Sequence, residues 1–320
     1  MKPYPFESMP ESIHVAVLKG GPSAEHEISL KSGSAIAHAL STAGFKVEEI
    51  SFRDAELPPL PPDVDVVFPA LHGRFGEDGQ IQKLLEGRDL AYVGSDAAAS
   101  RLIIDKAQTK TVLQASGVPV PDGVTLQAPV AEVPESIPLP CIVKPNREGS
   151  TLGLILVEQV EEWHHALEAA FAYDETVIVE EFVEGTEITV GIVAGKSLPV
   201  IEIVPPGVIF DYDAKYTYSK GKTKYLCPPE TVSDTVQMRA REIAEQTFVA
   251  LGARDMLRVD LIIENGSLKP VVLEANSIPG FTATSLLPKA ADAAGVSFTE
   301  LCRRLVVNAH ERSGRAIVGV

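Results

Sequence analysis

Leu257-Arg258-Val259-Asp260-Leu261-Ile262-Ile263-Glu264-Asn265-Gly266-Ser267-Leu268-Lys269-Pro270-Val271-Val272-Leu273-Glu274-Ala275-Asn276 is the stretch from which the rest of the chain is best read. Leu257 to Ile263 and Lys269 to Ala275 read as two strand arms around an Asn-Gly turn. In such a hairpin Asp260 and Glu274 can face each other across the ladder. Two carboxylates and the Asn276 amide oxygen make a hard-oxygen set suited to Mg²⁺, which is normally shared with phosphates. The alternative is a solvated hairpin carrying ordinary surface charges. Glu274 interrupts an apolar strand and Pro279-Gly280 follows closely, which favours the metal.

Upstream, Lys144 ends the apolar run Cys141-Ile142-Val143, and Arg147-Glu148-Gly149-Ser150-Thr151-Leu152-Gly153 comes next. Glycines let a backbone approach phosphate closely, while hydroxyls and N–H groups supply donors. The spacing is not that of a P-loop, which needs Gly-Lys-Ser/Thr directly before a helix. A plain surface hairpin is the competing reading. Val177 to Phe182 is an apolar strand ending in acids, Glu180-Glu181-Phe182-Val183-Glu184. Its end could offer backbone groups to an adenine, with Glu187 as a carboxylate for ribose; most such clusters, however, are solvent-exposed turns.

The first third alternates strand and helix signals: an apolar run Ile13 to Leu18 ending at Gly20-Gly21, a helix from about Ser29 to Ala43, a strand Val64 to Ala70 and a helix Gln80 to Glu86. That rhythm predicts a parallel sheet with ligand loops at the strand ends. A helix over Asp105 to Ser116 stops at Gly117, with Pro119 and Pro121 beyond it, a junction signal. Further helices are expected at Val160 to Tyr173 and Val232 to Leu251, and Ser297 with Glu300 has the capping-box pattern of a last helix. The expected units are 1–104, 105–186 and 187–320, the last holding a long polar stretch over 205–230.

The chain has 320 residues, 45% apolar and 22% charged, enough for more than one core. A net charge of -16 argues against general affinity for nucleic acid or anionic lipid. The three cysteines, Cys141, Cys227 and Cys302, are sparse and form no metal or redox spacing, which suits a reducing cytoplasm. Neither a membrane-spanning run nor a signal-peptide pattern is read, so a cytoplasmic location is expected.

A phosphate loop, a strand-end nucleotide edge and a late Asp…Glu-x-Asn metal site occur in this order in ATP-grasp enzymes. The ends narrow the likeness. Gly20-Gly21-Pro22-Ser23-Ala24-Glu25-His26-Glu27-Ile28-Ser29 and Leu71-His72-Gly73-Arg74-Phe75-Gly76-Glu77-Asp78-Gly79 resemble the N-terminal signatures of the D-alanine–D-alanine ligase family. Asp211-Tyr212-Asp213-Ala214-Lys215-Tyr216 resembles that family's mobile loop. Asn276-Ser277-Ile278-Pro279-Gly280-Phe281-Thr282, with Ser285-Leu286, resembles its C-terminal signature. The likeness runs from about Val15 to Arg304. Thr151, Phe210, Phe281 and Thr284 depart from the residues usual at those places, and none of them is a metal ligand or phosphate cation.

The resemblance implies an ATP-grasp fold, α/β and α+β, with an N-terminal Rossmann-like parallel-sheet domain. It implies that Lys106, Lys144 and Ser150 meet ATP phosphates, with Lys215 brought in by the mobile loop. Glu180, Glu181, Phe182 and Val183 would hold adenine and Glu187 ribose. Asp260, Glu274 and Asn276 would bind two Mg²⁺, with Mn²⁺ able to substitute. Glu25 would take the first D-alanine's ammonium in a set with Ser150 and Tyr216, with His72 nearby. Arg258 and the Gly280 N–H would steady oxyanions, and Ser285 with the Leu286 N–H would bind the second substrate's carboxylate. A homodimer formed through the N-terminal region is also implied.

Two other functions stay open on sequence. One is a ligase of the same fold taking D-lactate or D-serine second, against which Lys215-Tyr216 speaks. The other is a non-catalytic nucleotide-binding regulator, against which the intact Lys106, Lys144, Asp260, Glu274 and Asn276 speak. The stretch 205–230 is long for a loop in a compact domain and holds Tyr212, Tyr216, Tyr218 and Tyr225 beside Lys215, Lys220, Lys222 and Lys224. Aromatic rings need somewhere to pack, so a lid is expected there.

Overall fold

The computed structural model describes residues 13–149, 152–206 and 222–314. Ser150, Thr151, Phe210, Lys215, Tyr216, the rest of the mobile-loop pattern and the N-terminal tail lie outside the described residues.

The first layer comprises β1 (His14–Gly20), α1 (His26–Thr42), β2 (Lys46–Phe52), β3 (Val66–Pro69), α2 (Gln80–Glu86) and β4 (Ala91–Tyr92). Its strands run parallel in the order β2-β1-β3-β4, the sheet that the strand–helix rhythm predicted. β1 and β3 are buried along nearly their whole length, as expected of central parallel strands. β2 is an edge strand with mixed exposure, and its Glu48-Glu49 pair disguises it in the sequence. β1 ends at Gly20 with φ of 92°, where an added Cβ would lie 2.5 Å from the Phe52 carbonyl oxygen, so only glycine lets the chain turn out of the sheet there. α1 begins at His26, earlier than the expected Ser29, which puts Glu25 at its N-cap.

Two short helices, α3 (Ala97–Ile104) and α4 (Lys106–Ala115), lead out of this layer. Asp105 ends the first and caps the second, its carboxylate accepting from the Gln108 N–H at 3.1 Å. The second layer follows as β5 (Gly123–Leu126), β6 (Cys141–Pro145), β7 (Ile155–Val157), α5 (Trp163–Phe171) and β8 (Val177–Glu181). It is antiparallel in the order β5-β8-β6-β7. The helix expected from Val160 opens instead with a 3₁₀ turn at Val160–Glu162 and ends at Phe171. Trp163 fills this layer's core, and its indole N–H donates to the Val130 carbonyl at 3.1 Å. Cys141 is a buried thiol in the same core, as read from its apolar run.

The third layer comprises β9 (Gly185–Val193), β10 (Lys196–Ser197), β11 (Ile201–Val204), β12 (Lys224–Leu226), α6 (Asp234–Ala250), β13 (Met256–Glu264) and β14 (Pro270–Asn276). The strand order is β12-β11-β9-β13-β14, with β10 paired to β9. β12 corrects the reading of 205–230 as wholly without regular structure: Lys224, Tyr225 and Leu226 pair with Val204, Ile203 and Glu202. The predicted hairpin is β13 and β14, with Gly266 at φ of 78° in its turn.

The chain then returns to the first layer through α7 (Leu286–Ala293) and α8 (Phe298–Arg312). Leu287, Leu301 and Leu305 join Val15, Ile36 and Phe68 in one core. Ser297 caps α8 by accepting from the Glu300 N–H, while the Glu300 carboxylate takes Arg303 and Arg304. Asp255, just before β13, ties this return together. Its buried carboxylate accepts from the Gly94 N–H at 2.8 Å and from both terminal nitrogens of Arg312 at 2.5 and 2.9 Å. The strand that carries Arg258 and Asp260 is thereby fixed to the first layer at its root.

Candidate active site

Side chains alternate faces along a strand, so Arg258 and Asp260 share one face of β13. The register sets Arg258 opposite Asn276 and Asp260 opposite Glu274. The four polar side chains that the sequence marked on this hairpin thus meet on one face. A bulge between Asp260 and Leu261 follows directly, so the remainder of the hairpin pairs in a shifted register. Asp260 is 6% exposed, and its carboxylate accepts from Arg258 Nε at 2.9 Å, Arg258 Nη2 at 2.7 Å, Thr189 Oγ1 at 2.6 Å and Asn276 Nδ2 at 3.2 Å. Thr189, directly opposite Asp260 on β9, carried no signal in the sequence.

This face closes one side of a cavity of about 540 Å³, within the usual size range of small-molecule sites. Asp260 and Glu274 line it together with Lys106, Lys144, Glu148, Glu180, Glu181, Phe182, Val183 and Glu187. The residues named from the sequence for phosphate, nucleotide and metal therefore share one cavity between the second and third layers, apart from Ser150 and Lys215 and from Asn276, which neighbours Asp260. The Phe182 N–H donates to the Pro140 carbonyl at 3.3 Å and so is already engaged within the protein. The Glu181 carboxylate accepts from the Asp122 N–H at 3.1 Å. Lys106 opens α4, and its ammonium donates to the Glu148 carbonyl at 2.6 Å. Burial pushes the Lys106 ammonium down from its ordinary value, against the pull of Glu274.

On the cavity wall the Glu180 carboxylate is buried and takes ion pairs from Lys144 and from Lys110. Lys110 was missed in the sequence, although it stands one helical turn after Lys106 and on the same face of α4. Glu202 was missed too. Its buried carboxylate lines the cavity and accepts from the Glu230 N–H at 2.8 Å, the Thr231 N–H at 3.0 Å and the Thr231 hydroxyl at 2.7 Å.

A second cluster lies where the first layer meets the hairpin's end. His72 is buried, with Nε2 3.0 Å from the Ser32 hydroxyl and Nδ1 3.1 Å from the Ile278 carbonyl. Desolvation lowers its pKa, opposed by the Glu25 charge. An added Cβ at Gly73 would lie 3.0 Å from a Glu25 carboxylate oxygen, so a side chain there would crowd Glu25. The Gly73 N–H donates to the Glu77 carboxylate at 2.7 Å. Glu77 is pushed up to about 8, first by desolvation and then by the Glu25 charge. Glu77 lies within the Leu71–Gly79 signature, but nothing in one sequence marks it as facing a second carboxylate. Nearby, Ser285 caps α7, whose first residue is Leu286, and its hydroxyl accepts from the Thr282 N–H at 3.0 Å. A Cβ at Gly280 would lie 3.4 Å from that hydroxyl, so Gly280, Ser285 and the open N–H end of α7 are neighbours.

Could this donor set hold a metal? Two carboxylates and an amide oxygen suit a hard cation that takes its remaining ligands from phosphate. Among the described residues no group of three or more His, Cys, Asp or Glu forms a self-sufficient metal site. The chemistry of the donors therefore fits Mg²⁺ that arrives with a nucleotide, not a metal caged by protein alone.

The family model described as D-ala D-ala ligase C-terminus matches residues 113–307, and the one described as D-ala D-ala ligase N-terminus matches residues 48–95. The D-alanine–D-alanine ligase of Syntrophotalea carbinolica is 44% identical over 303 residues, covering 93% of this chain and 96% of that protein. That of Methylacidiphilum infernorum is 41% identical over 298 residues, covering 92% and 94%. Among solved structures, the Bacillus anthracis D-alanine–D-alanine ligase complexed with ATP superposes with a TM-score of 0.80 at 29% identity, covering 94% of this chain and 98% of that one. The layered fold, the cavity and these likenesses agree: the chain belongs to the D-alanine–D-alanine ligase family of ATP-grasp enzymes.

Proposed function

We propose that this enzyme joins two D-alanine molecules at the cost of one ATP, through a D-alanyl phosphate, and so supplies the dipeptide for peptidoglycan precursors. The observation that carries the reading is the shared cavity, with Lys106 and Lys144 on one wall and Asp260 and Glu274 on another. Such a cavity suits a polyphosphate, and a relative complexed with ATP supports nucleotide as its occupant. Phe182 and Val183 would hold adenine and Glu187 ribose. Bound at Asp260, Glu274 and Asn276, two Mg²⁺ ions would spread the charge of the transferring phosphoryl group.

Glu25, beside Gly73, would hold the first substrate's ammonium, and His72 would brace the loop behind it. The first D-alanine's carboxylate then attacks the γ-phosphorus, and the bond to ADP breaks. The second D-alanine, with its carboxylate at Ser285 and the Leu286 N–H, presents its amine to the acyl carbon. Arg258 and the Gly280 N–H would steady the tetrahedral oxyanion until inorganic phosphate leaves. The family pattern adds Ser150, Lys215 and Tyr216 to this site, and it implies a cytoplasmic homodimer. Mass spectrometry of the product from ATP, Mg²⁺ and a mixture of D-alanine, D-serine and D-lactate tests the substrate assignment. D-Ala-D-Ala should dominate; a depsipeptide or a D-Ala-D-Ser product in its place would overturn it.

A further inference from the structure

The least expected group around the nucleotide cavity is not in its wall but behind it. Glu180 lines the cavity and is 2% exposed, a position where a lone carboxylate would repel a polyphosphate. On the sheet, Lys144 and Glu180 stand on one face as diagonal neighbours, since Ile142 pairs with Glu180 and Lys144 with Ile178. Lys144, 6% exposed, reaches one carboxylate oxygen of Glu180 and also lines the cavity. The other oxygen is taken by Lys110, 9% exposed, which does not line the cavity. Lys110 reaches Glu180 because α4 is pinned to the end of β6. The Ala107 N–H donates to Asn146 Oδ1 at 2.9 Å, and Arg147 Nη2 meets Asp105 Oδ2 at 2.9 Å.

One carboxylate facing two ammonium groups leaves a net positive charge, and the two cations are not equivalent. Lys144 can turn its other N–H donors to a phosphate, because an ammonium carries three. Lys110 is placed to satisfy Glu180 and nothing in the cavity. Without it, Glu180 would hold Lys144 as its sole counterion, and the pair would turn no net positive charge toward the incoming phosphates.

We propose that Lys110 is a positioning residue for nucleotide binding: it neutralises Glu180 from outside the cavity and so frees Lys144 to serve the phosphates. This rests on the reading of the cavity as the nucleotide site. The groups facing Lys110 are Glu180 from β8, Lys144 from β6 and, farther off, the Glu274 charge from β14, with Lys106 one turn away on its own helix. Burial pushes the Lys110 ammonium down to about 8, against the opposing pull of Glu180. Its charge is therefore present below that pH and lost as the pH rises through it.

The test is calorimetric binding of Mg²⁺ with a non-hydrolysable ATP analogue, and of adenosine, to the full-length protein. Failure of the wild type to bind the analogue would sink the nucleotide-site reading itself. Given binding, Lys110→Met should weaken the analogue by about tenfold or more, the scale of one positive charge lost roughly 10 Å from phosphate at an effective dielectric near 20. Adenosine, which has no phosphates, should change less than about twofold, and Lys110→Arg should restore the analogue. In a Glu180→Gln background the same Lys110→Met change should cost the analogue almost nothing, since no carboxylate remains to be neutralised. If Lys110→Met does not fold, the pH profile decides. Wild-type affinity should fall more steeply from about pH 7 to about pH 9 than that of Lys110→Arg, which keeps its charge. Equal losses for analogue and adenosine, an unchanged cost in the Glu180→Gln background, or identical pH profiles would each overturn the proposal.

Discussion

Arg258 and Asp260, two residues apart on β13, form a bidentate ion pair on the face of the hairpin that closes the cavity. With Thr189 and Asn276 added, the carboxylate of Asp260 accepts four hydrogen bonds, the number its lone pairs allow. A cation can be ligated by Asp260 only if one of these donors lets go. Arg258 is the donor with charge to spare, and in the proposed reaction it has an oxyanion to meet instead. On the proposed reading, a metal at Asp260 would take the place of the guanidinium and leave Arg258 available to substrate.

Arg258→Lys keeps the charge but loses the planar fork that spans both oxygens. We expect kcat/KM to drop by about tenfold or more, with the change in kcat larger than that in the KM for ATP, because the lost contact belongs to the later oxyanion. Steady-state kinetics with ATP and D-alanine varied separately checks this. A variant with unchanged kcat would remove Arg258 from the reaction.

Glu274→Gln is nearly isosteric and, on the proposed reading, removes one negative metal ligand. It should lower kcat by more than about tenfold, roughly 1.4 kcal/mol of barrier, while the thermal midpoint of the ligand-free protein shifts little. Turnover measured across an Mg²⁺ titration decides. Wild-type activity at limiting Mg²⁺ would return Glu274 to an ordinary surface charge.

Glu77 gives a pH dependence of stability. Its folded pKa of about 8 lies above the ordinary glutamate value of 4.5, so between these limits the folded state holds a proton that the unfolded state has released. Stability must then fall as pH rises through that window. Glu77→Gln, which cannot ionise, should flatten the decline and raise the thermal midpoint near pH 8 relative to wild type. Midpoints of both proteins from about pH 5 to about pH 8 test it; parallel curves would show that Glu77 ionises normally beside Glu25.

The close approach of β9 to β13 leaves no room at Gly185. A Cβ there would lie 2.1 Å from the Ile263 carbonyl oxygen, which is backbone and cannot move aside cheaply. Gly185→Ala should therefore cost on the order of 1–3 kcal/mol, the usual range for overpacking, and should weaken nucleotide binding, since Gly185 also lines the cavity. Denaturant unfolding reads the first effect. An unchanged midpoint would mean that the two strands are not held this closely.

Much of the architecture was legible because its signals are local. The Asn-Gly turn, the apolar arms and the spacing of Asp260 and Glu274 fix a hairpin whose register then follows. Asp105 before Lys106 and Gly117 after Ser116 bracket α4 in the same way. What escaped was set by partners distant in sequence. β12 is a strand only because β11 pairs with it, and nothing in Lys224-Tyr225-Leu226 announces that. Lys110, Glu77 and Glu202 owe their character to burial against Glu180, Glu25 and the Glu230–Thr231 backbone, which a linear reading does not supply. The start of α1 was missed by three residues because Pro22-Ser23 suggests a longer loop, and that shift moved Glu25 onto the helix end.

The most direct test of the central claim is phosphate release from ATP, measured alongside dipeptide formation, with D-alanine, with L-alanine and with neither. Release should require D-alanine, and each phosphate should be matched by one D-Ala-D-Ala. Equal release with L-alanine, or release with D-alanine and no dipeptide, would contradict the account.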